Sequence, residues 1–216
     1  MELPIPTWRV PRVPALWSGS PLNERSWERI PKLPPLVLAD GGGPAEQPTS
    51  VRVCWDEQAL HVRFDCVDRD AWGTYGWRDD PLYKEEAVEV FLAPGEVSPV
   101  NYFELEVSPK GVIFDARVFN PTSQRADLQV DKDWDCLGLL CAVGKGDEEE
   151  DWWAVLEIPW AGLEQEPGRP PVWRANFYRI EQPRDGAPEY SCWSPTLTSP
   201  ADFHKPARFG RLVLEV

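Results

Sequence analysis

Three glutamates at period-two spacing carry the most chemistry in this chain: Glu89 in VEVFL (88–92), and Glu104 and Glu106 in NYFELEVS (101–108). Alternate residues of an extended chain share a face, so Val88, Val90 and Leu92 point one way and Ala87, Glu89 and Phe91 the other. Phe103, Leu105 and Val107 form a second apolar row, opposite Tyr102, Glu104 and Glu106. Side by side, such strands build a sheet with an apolar back and a front of carboxylates among aromatic rings. That front suits a ligand with many hydroxyls and an apolar C–H face, as sugars have. Paired carboxylates also serve glycoside hydrolysis, which makes a hydrolase using paired Glu the enzymatic alternative. The plain alternative is a solvated sheet face balanced by Arg117, Arg179 and Lys110.

The elements that must hold these residues are strands. Alternating segments are predicted near 36–39, 51–56, 60–67, 87–92, 102–108, 112–119, 137–143, 152–158, 173–181 and 208–215. Residues 68–86 are polar, aromatic and turn-rich and read as a long loop of the kind that often carries binding. Pro121 to Leu128 reads as a loop or short helical turn, and 144–151 (GKGDEEED) as a charged hairpin loop. The expected fold is all-β, a two-sheet antiparallel sandwich of immunoglobulin-like or jelly-roll-like type. Residues 1–26 are expected to form an extended Pro-rich arm on a sandwich spanning 27–216, with Trp8, Trp17 and Trp27 as pins.

Composition narrows the function. A net charge of −14 argues against nucleic acid and against an anionic membrane surface. Twelve Trp in 216 residues exceeds what a core needs, so some are expected to do surface work. Trp72 and Trp77 read as ring platforms or loop packing, and Trp193 as core. Five Cys is an odd number and none falls in a CxxC, so buried free thiols are expected. With no apolar run of signal-peptide length at the start, the expected location is the cytoplasm. One Met, at position 1, and two His leave no usual haem pair and little for a triad.

Four blocks together resemble the family 9 carbohydrate-binding modules. They are VRVCWDEQALHVRFDCVD (51–68), YKEEAVEVFL (83–92), WWAVLEIPW (152–160), and the run WRANFYRIE (173–181), CWSP (192–195) and FHKPARFGRLVL (203–214). The resemblance implies a non-catalytic domain that stacks a sugar ring between two aromatic residues, with a role in carbohydrate catabolism. It places Tyr83 and Phe203 at the two stacking positions, where the family has Trp, and Glu89 as a sugar contact. Glu106 falls near the family's strand Arg, a reversal of charge. Tyr178 and Arg179 occupy adjacent, opposite-facing positions of a neighbouring strand, so only one can face the site. The family's structural calcium implies an ion near Asp68, where Asp68, Asp70, Asp79 and Asp80 flank the long loop. No other cofactor is required. The partners expected are a small carbohydrate or, on the same scaffold, another protein.

Overall fold

The chain folds as two packed sheets in a computed structural model that describes residues 4–14, 27–146, 148, 150–164 and 169–215. Thirteen strands are described: β1 Thr7–Val10, β2 Val37–Leu38, β3 Thr49–Trp55, β4 Ala59–Cys66, β5 Ala87–Pro94, β6 Asn101–Val107, β7 Ile113–Phe119, β8 Gln129–Asp131, β9 Leu140–Lys145, β10 Trp152–Pro159, β11 Val172–Glu181, β12 Glu189–Cys192 and β13 Gly210–Leu214. One sheet has four strands in the order β3-β4-β10-β9. The other runs β1-β13-β11-β5-β6-β7-β8, with β12 pairing to β11 and β2.

Inward rows fill the space between the sheets. Val51, Val53, Val62, Phe64, Ala154 and Leu156 come from the smaller sheet, and Val88, Val90, Leu105, Val107 and Phe177 from the larger. Phe64 meets Phe177 edge-on at 6.2 Å across the interface. Cys54, Cys66, Cys136 and Cys192 are buried, Cys141 is half-buried, and all five thiols are free. Burial pushes the thiols of Cys66, Cys136 and Cys192 up to about 12, so they behave as small apolar side chains.

Three strands were not expected. β1 lies in the Pro-rich arm and pairs with β13 in parallel, Trp8 opposite Leu212. The start of the arm is therefore part of the sheet rather than a wrapping on it, and the pairings are not antiparallel throughout. Trp27 is buried against Val13, Ile30 and Cys54, whereas Trp17 lies outside the described residues. β8 and β12 are three and four residues long, too short to show a period.

The larger sheet is covered on both faces. The segment after β12 folds back over its outer face, held by Asn176, whose side chain donates to the Ser194 carbonyl (2.8 Å) and accepts from the Ser194 N–H (2.9 Å). A second apolar layer results, with Phe91, Tyr102, Tyr178, Phe203 and Phe209. Gly210 permits the close return into β13, because a Cβ there would collide with the Trp193 ring and approach the Pro6 carbonyl to 2.9 Å. Trp193 is 5% exposed and packs into the core.

Candidate functional site

Strand register assembles the carboxylates. Glu89 of β5 stands opposite Glu106 of β6, Phe91 opposite Glu104, and Tyr178 of β11 opposite Glu89 on the other side. All five lie on the outer face. The three glutamates offer oxygens within 4.8 Å of one another. They are not a solvated row: Glu89, Glu104 and Glu106 are 2%, 5% and 0% exposed, because the layer above closes over them. Nor do the expected cations balance them. Arg117 pairs with Glu164 and Arg179 with Asp68, while the Lys110 stem lies beside Gly73.

This burial alters their chemistry. Loss of water pushes the Glu104 carboxyl up to about 7. Burial first, and then the neighbouring carboxylates, push Glu89 and Glu106 well above the ordinary range. Glu89 Oε1, Glu104 Oε2 and both Glu106 oxygens receive no hydrogen bond from an N–H or hydroxyl among the described residues, and Glu104 and Glu106 are close enough to share a proton.

A cavity of about 330 Å³ opens above this floor. Tyr83, Glu89, Glu104, Lys132, Phe203 and His204 are among its lining residues. Tyr83 stands in a 3-10 turn, Leu82–Lys84, that buried Leu82 anchors. Its ring is 40% exposed, meets Phe114 edge-on at 5.9 Å, and its hydroxyl accepts from Lys132 Nζ at 3.2 Å. Phe203 stacks on Tyr178 with ring centroids 4.2 Å apart. Tyr178 is fully buried behind it and donates its hydroxyl to the Phe203 carbonyl at 2.9 Å. Tyr178 thus supports one wall and does not line the cavity. A wider groove of about 780 Å³ adjoins it, sharing Tyr190 and Ala201.

Arg179 lies elsewhere. The one-residue step from Tyr178 turns it to the opposite face, where it is 1% exposed. It donates to Asp68 Oδ2 at 2.6 Å and to the Val67 carbonyl at 2.6 Å. A place for Arg179 in the sugar site is therefore corrected: it ties the long loop to β11.

Asp68 belongs to a second acidic cluster, with Asp70, Glu86 and Glu181. Its Oδ2 also accepts from Trp152 Nε1 at 3.0 Å, and its Oδ1 from the Asp70 N–H at 3.0 Å. Glu86 Oε1 and Glu181 Oε1 are buried and unpartnered. The donor set, all carboxylate oxygen with two orphaned members, fits a calcium ion, although Asp68 itself is largely committed. Asp79 and Asp80 are outside this group. Trp72 packs its loop by donating Nε1 to the Gln182 carbonyl, and Trp77 is 80% exposed away from the cavity.

Several lining residues escaped the sequence reading. Phe91 shares the Glu89 face and His204 follows Phe203, so both had a signal. Arg125 and Lys132 had none, because they arrive through the β7–β8 connection and just after β8, which show no period. His204 Nδ1 lies 2.8 Å from the Tyr102 hydroxyl. Burial, reinforced by the positive charge of Arg125 and Lys205 and opposed by Asp202, holds its pKa down to about 4. The folded state thus binds fewer protons than the unfolded one between about 4 and 6.5, so this stability is present above pH 6.5 and lost as pH falls to about 4. The expected loss approaches about 3 kcal/mol. Denaturation at pH 7 and pH 4.5 checks it: wild type should lose more than His204→Gln, and equal losses would assign the pH response to other groups.

The chain's relatives bear on this geometry. Carbohydrate-binding family 9 matches residues 45–214. A curated fungal protein of Arthroderma benhamiae, named "Extracellular protein", is 26% identical over 176 residues, covering 76% of this chain and 78% of its own. Among solved structures, a candidate carbohydrate-binding protein of Bacteroides uniformis is similar with a TM-score of 0.72 at 19% identity, covering 97% of this chain and 99% of that one. A family 9 module of Caldicellulosiruptor kristjanssonii in complex with glucose matches with a TM-score of 0.64 at 14% identity, covering 97% and 95%. The same module with cellotriose gives 0.64 at 13% identity, covering 97% and 93%. At these identities the structures establish the fold, and the family match over most of the sequence establishes the rest: this chain belongs to carbohydrate-binding family 9.

Proposed function

We propose that this chain binds a sugar, its ring held between Tyr83 and Phe203 and its hydroxyls by Glu89 and the polar groups beside it. One observation carries the reading. Tyr83, Glu89 and Phe203, distant in sequence, line a single cavity of about 330 Å³, small enough for one or two sugar units. The glucose and cellotriose complexes of the Caldicellulosiruptor module support it by likeness. The family is non-catalytic, and this chain is not an enzyme. The binding serves carbohydrate catabolism in this reading, and the free thiols support a reducing compartment such as the cytoplasm.

Affinity should be modest, with a Kd of about 10 μM to 1 mM, because one ring buries little apolar surface and each hydroxyl exchanges water for a protein partner. A glycan array followed by calorimetry tests it. Tyr83→Ala should weaken binding about tenfold or more, and leave the fold intact because Tyr83 is 40% exposed and buried Leu82 anchors its turn. If no sugar binds at millimolar concentration, or if Tyr83→Ala binds like wild type, the cavity is not a sugar site. A protein partner on the same scaffold then becomes the reading to pursue.

Calcium in the Asp68 cluster is the second part of the proposal. Asp70, Glu86 and Glu181 would supply most of the oxygens and fasten the long loop to β11. Chelator should lower the melting temperature of wild type by several degrees more than that of Glu86→Gln; an equal response of both excludes calcium there.

A further inference from the structure

The glutamate trio beneath the cavity gathers more buried carboxyl oxygen than a sugar alone explains. The Asp68 cluster has Arg179 inserted among its acids at 2.6 Å. The trio has no such partner: neither hydrogen bond nor ion pair joins Glu89, Glu104 or Glu106 to a basic side chain among the described residues. The two cations near it are otherwise engaged. Arg125 pairs with Asp202 at 3.3 Å, and Lys132 lies over the Tyr83 ring and bonds its hydroxyl. Buried carboxylates are normally paired or bound to metal, since an unpaired charge out of water is costly.

Geometry narrows the occupant. Oxygens from all three glutamates lie within 4.8 Å of one another, close enough for one ion to reach all three at the roughly 2.3–2.6 Å of calcium–oxygen bonds. Glu106 stands at 0% exposure, deeper than the cavity-lining Glu89 and Glu104, yet apart from the neighbouring Glu104 carboxyl no side chain or backbone group bonds its oxygens among the described residues. A sugar resting on the floor meets Glu89 and Glu104. A small ion seated among the three reaches Glu106 as well.

We infer that Glu89, Glu104 and Glu106 form a site for a hard divalent cation, calcium by its all-carboxylate donor set, in the floor of the carbohydrate cavity. Three carboxylates supply between three and six of the six to eight oxygens calcium takes. The positions left over face the cavity, where two neighbouring sugar hydroxyls can complete the shell. The protein thereby holds its ligand through a cation. The cation site stands on the trio alone, and the sugar bridge rests on the function proposed above.

The test uses chelator-treated protein titrated with calcium chloride by calorimetry. Glu106→Gln and Glu104→Gln are each expected to bind about one calcium per chain fewer than wild type. Glu86→Gln, which alters the other acidic cluster, should leave the trio's calcium in place. With sugars found on the array, wild-type affinity should fall about tenfold or more in chelator and recover with calcium, while Glu106→Gln shows no calcium response. Unchanged calcium stoichiometry in both trio variants overturns the site. Equal sugar affinity with and without calcium overturns the bridge and leaves the sugar reading standing. Calcium at the trio with no sugar bound has the reverse meaning. Preference for glucosamine over glucose in chelator would assign an ammonium group to the floor and overturn the cation.

Discussion

Asp68→Ala should destabilise the domain by about 3–5 kcal/mol, the cost of leaving a buried charge without its partner. Arg179 is 1% exposed and lies 2.6 Å from Asp68 Oδ2. The same carboxylate accepts from Trp152 Nε1 and from the Asp70 N–H, so three donors lose their acceptor at once. Glu86 and Glu181 lie in the same cluster and offset part of the loss, which favours the lower end of the range. Asp68→Asn should cost less, because its amide oxygen can still accept from Trp152. Urea denaturation of the three proteins measures this. A loss under about 1 kcal/mol for Asp68→Ala would show that the ion pair does not fasten the 68–86 loop.

Phe203→Ala should cost about 3–4 kcal/mol and abolish sugar binding together. A sequence position in a loop suggests that alanine there leaves the fold intact. The structure opposes that: Phe203 is 8% exposed, stacks on Tyr178 at 4.2 Å and receives Tyr190 edge-on at 5.9 Å. Removing the ring opens a void beneath the covering layer and takes away one cavity wall. Phe203→Leu separates the two effects. Leucine keeps most of the apolar volume but has no flat face, so stability should fall by about 1 kcal/mol while affinity falls about tenfold. Retention of wild-type stability in Phe203→Ala, within about 0.5 kcal/mol, would mean that the ring does not hold the covering segment.

Period two in the sequence determined much of this protein. It placed Val88, Val90, Leu105 and Val107 on the inward face and put Glu89, Glu104 and Glu106 together on the outward one, because side chains of a strand alternate whatever surrounds them. The same parity required Tyr178 and Arg179 to part company. The four resembling blocks located Tyr83 and Phe203, which line one cavity.

Tertiary structure decided the rest. Alternation says which residues share a face, and nothing of what lies over it. A segment more than 80 residues beyond Glu106 covers the outer face and turns an expected solvated row into three buried carboxyl groups with no basic partner among the described residues. Arg179 meets Asp68 across 111 positions, and Lys132 reaches Tyr83 across 49. β1 joins β13 from a stretch whose prolines conceal any period. Such contacts depend on how loops close over a finished sheet, and chain-distant loops leave no local pattern in the residues that make them.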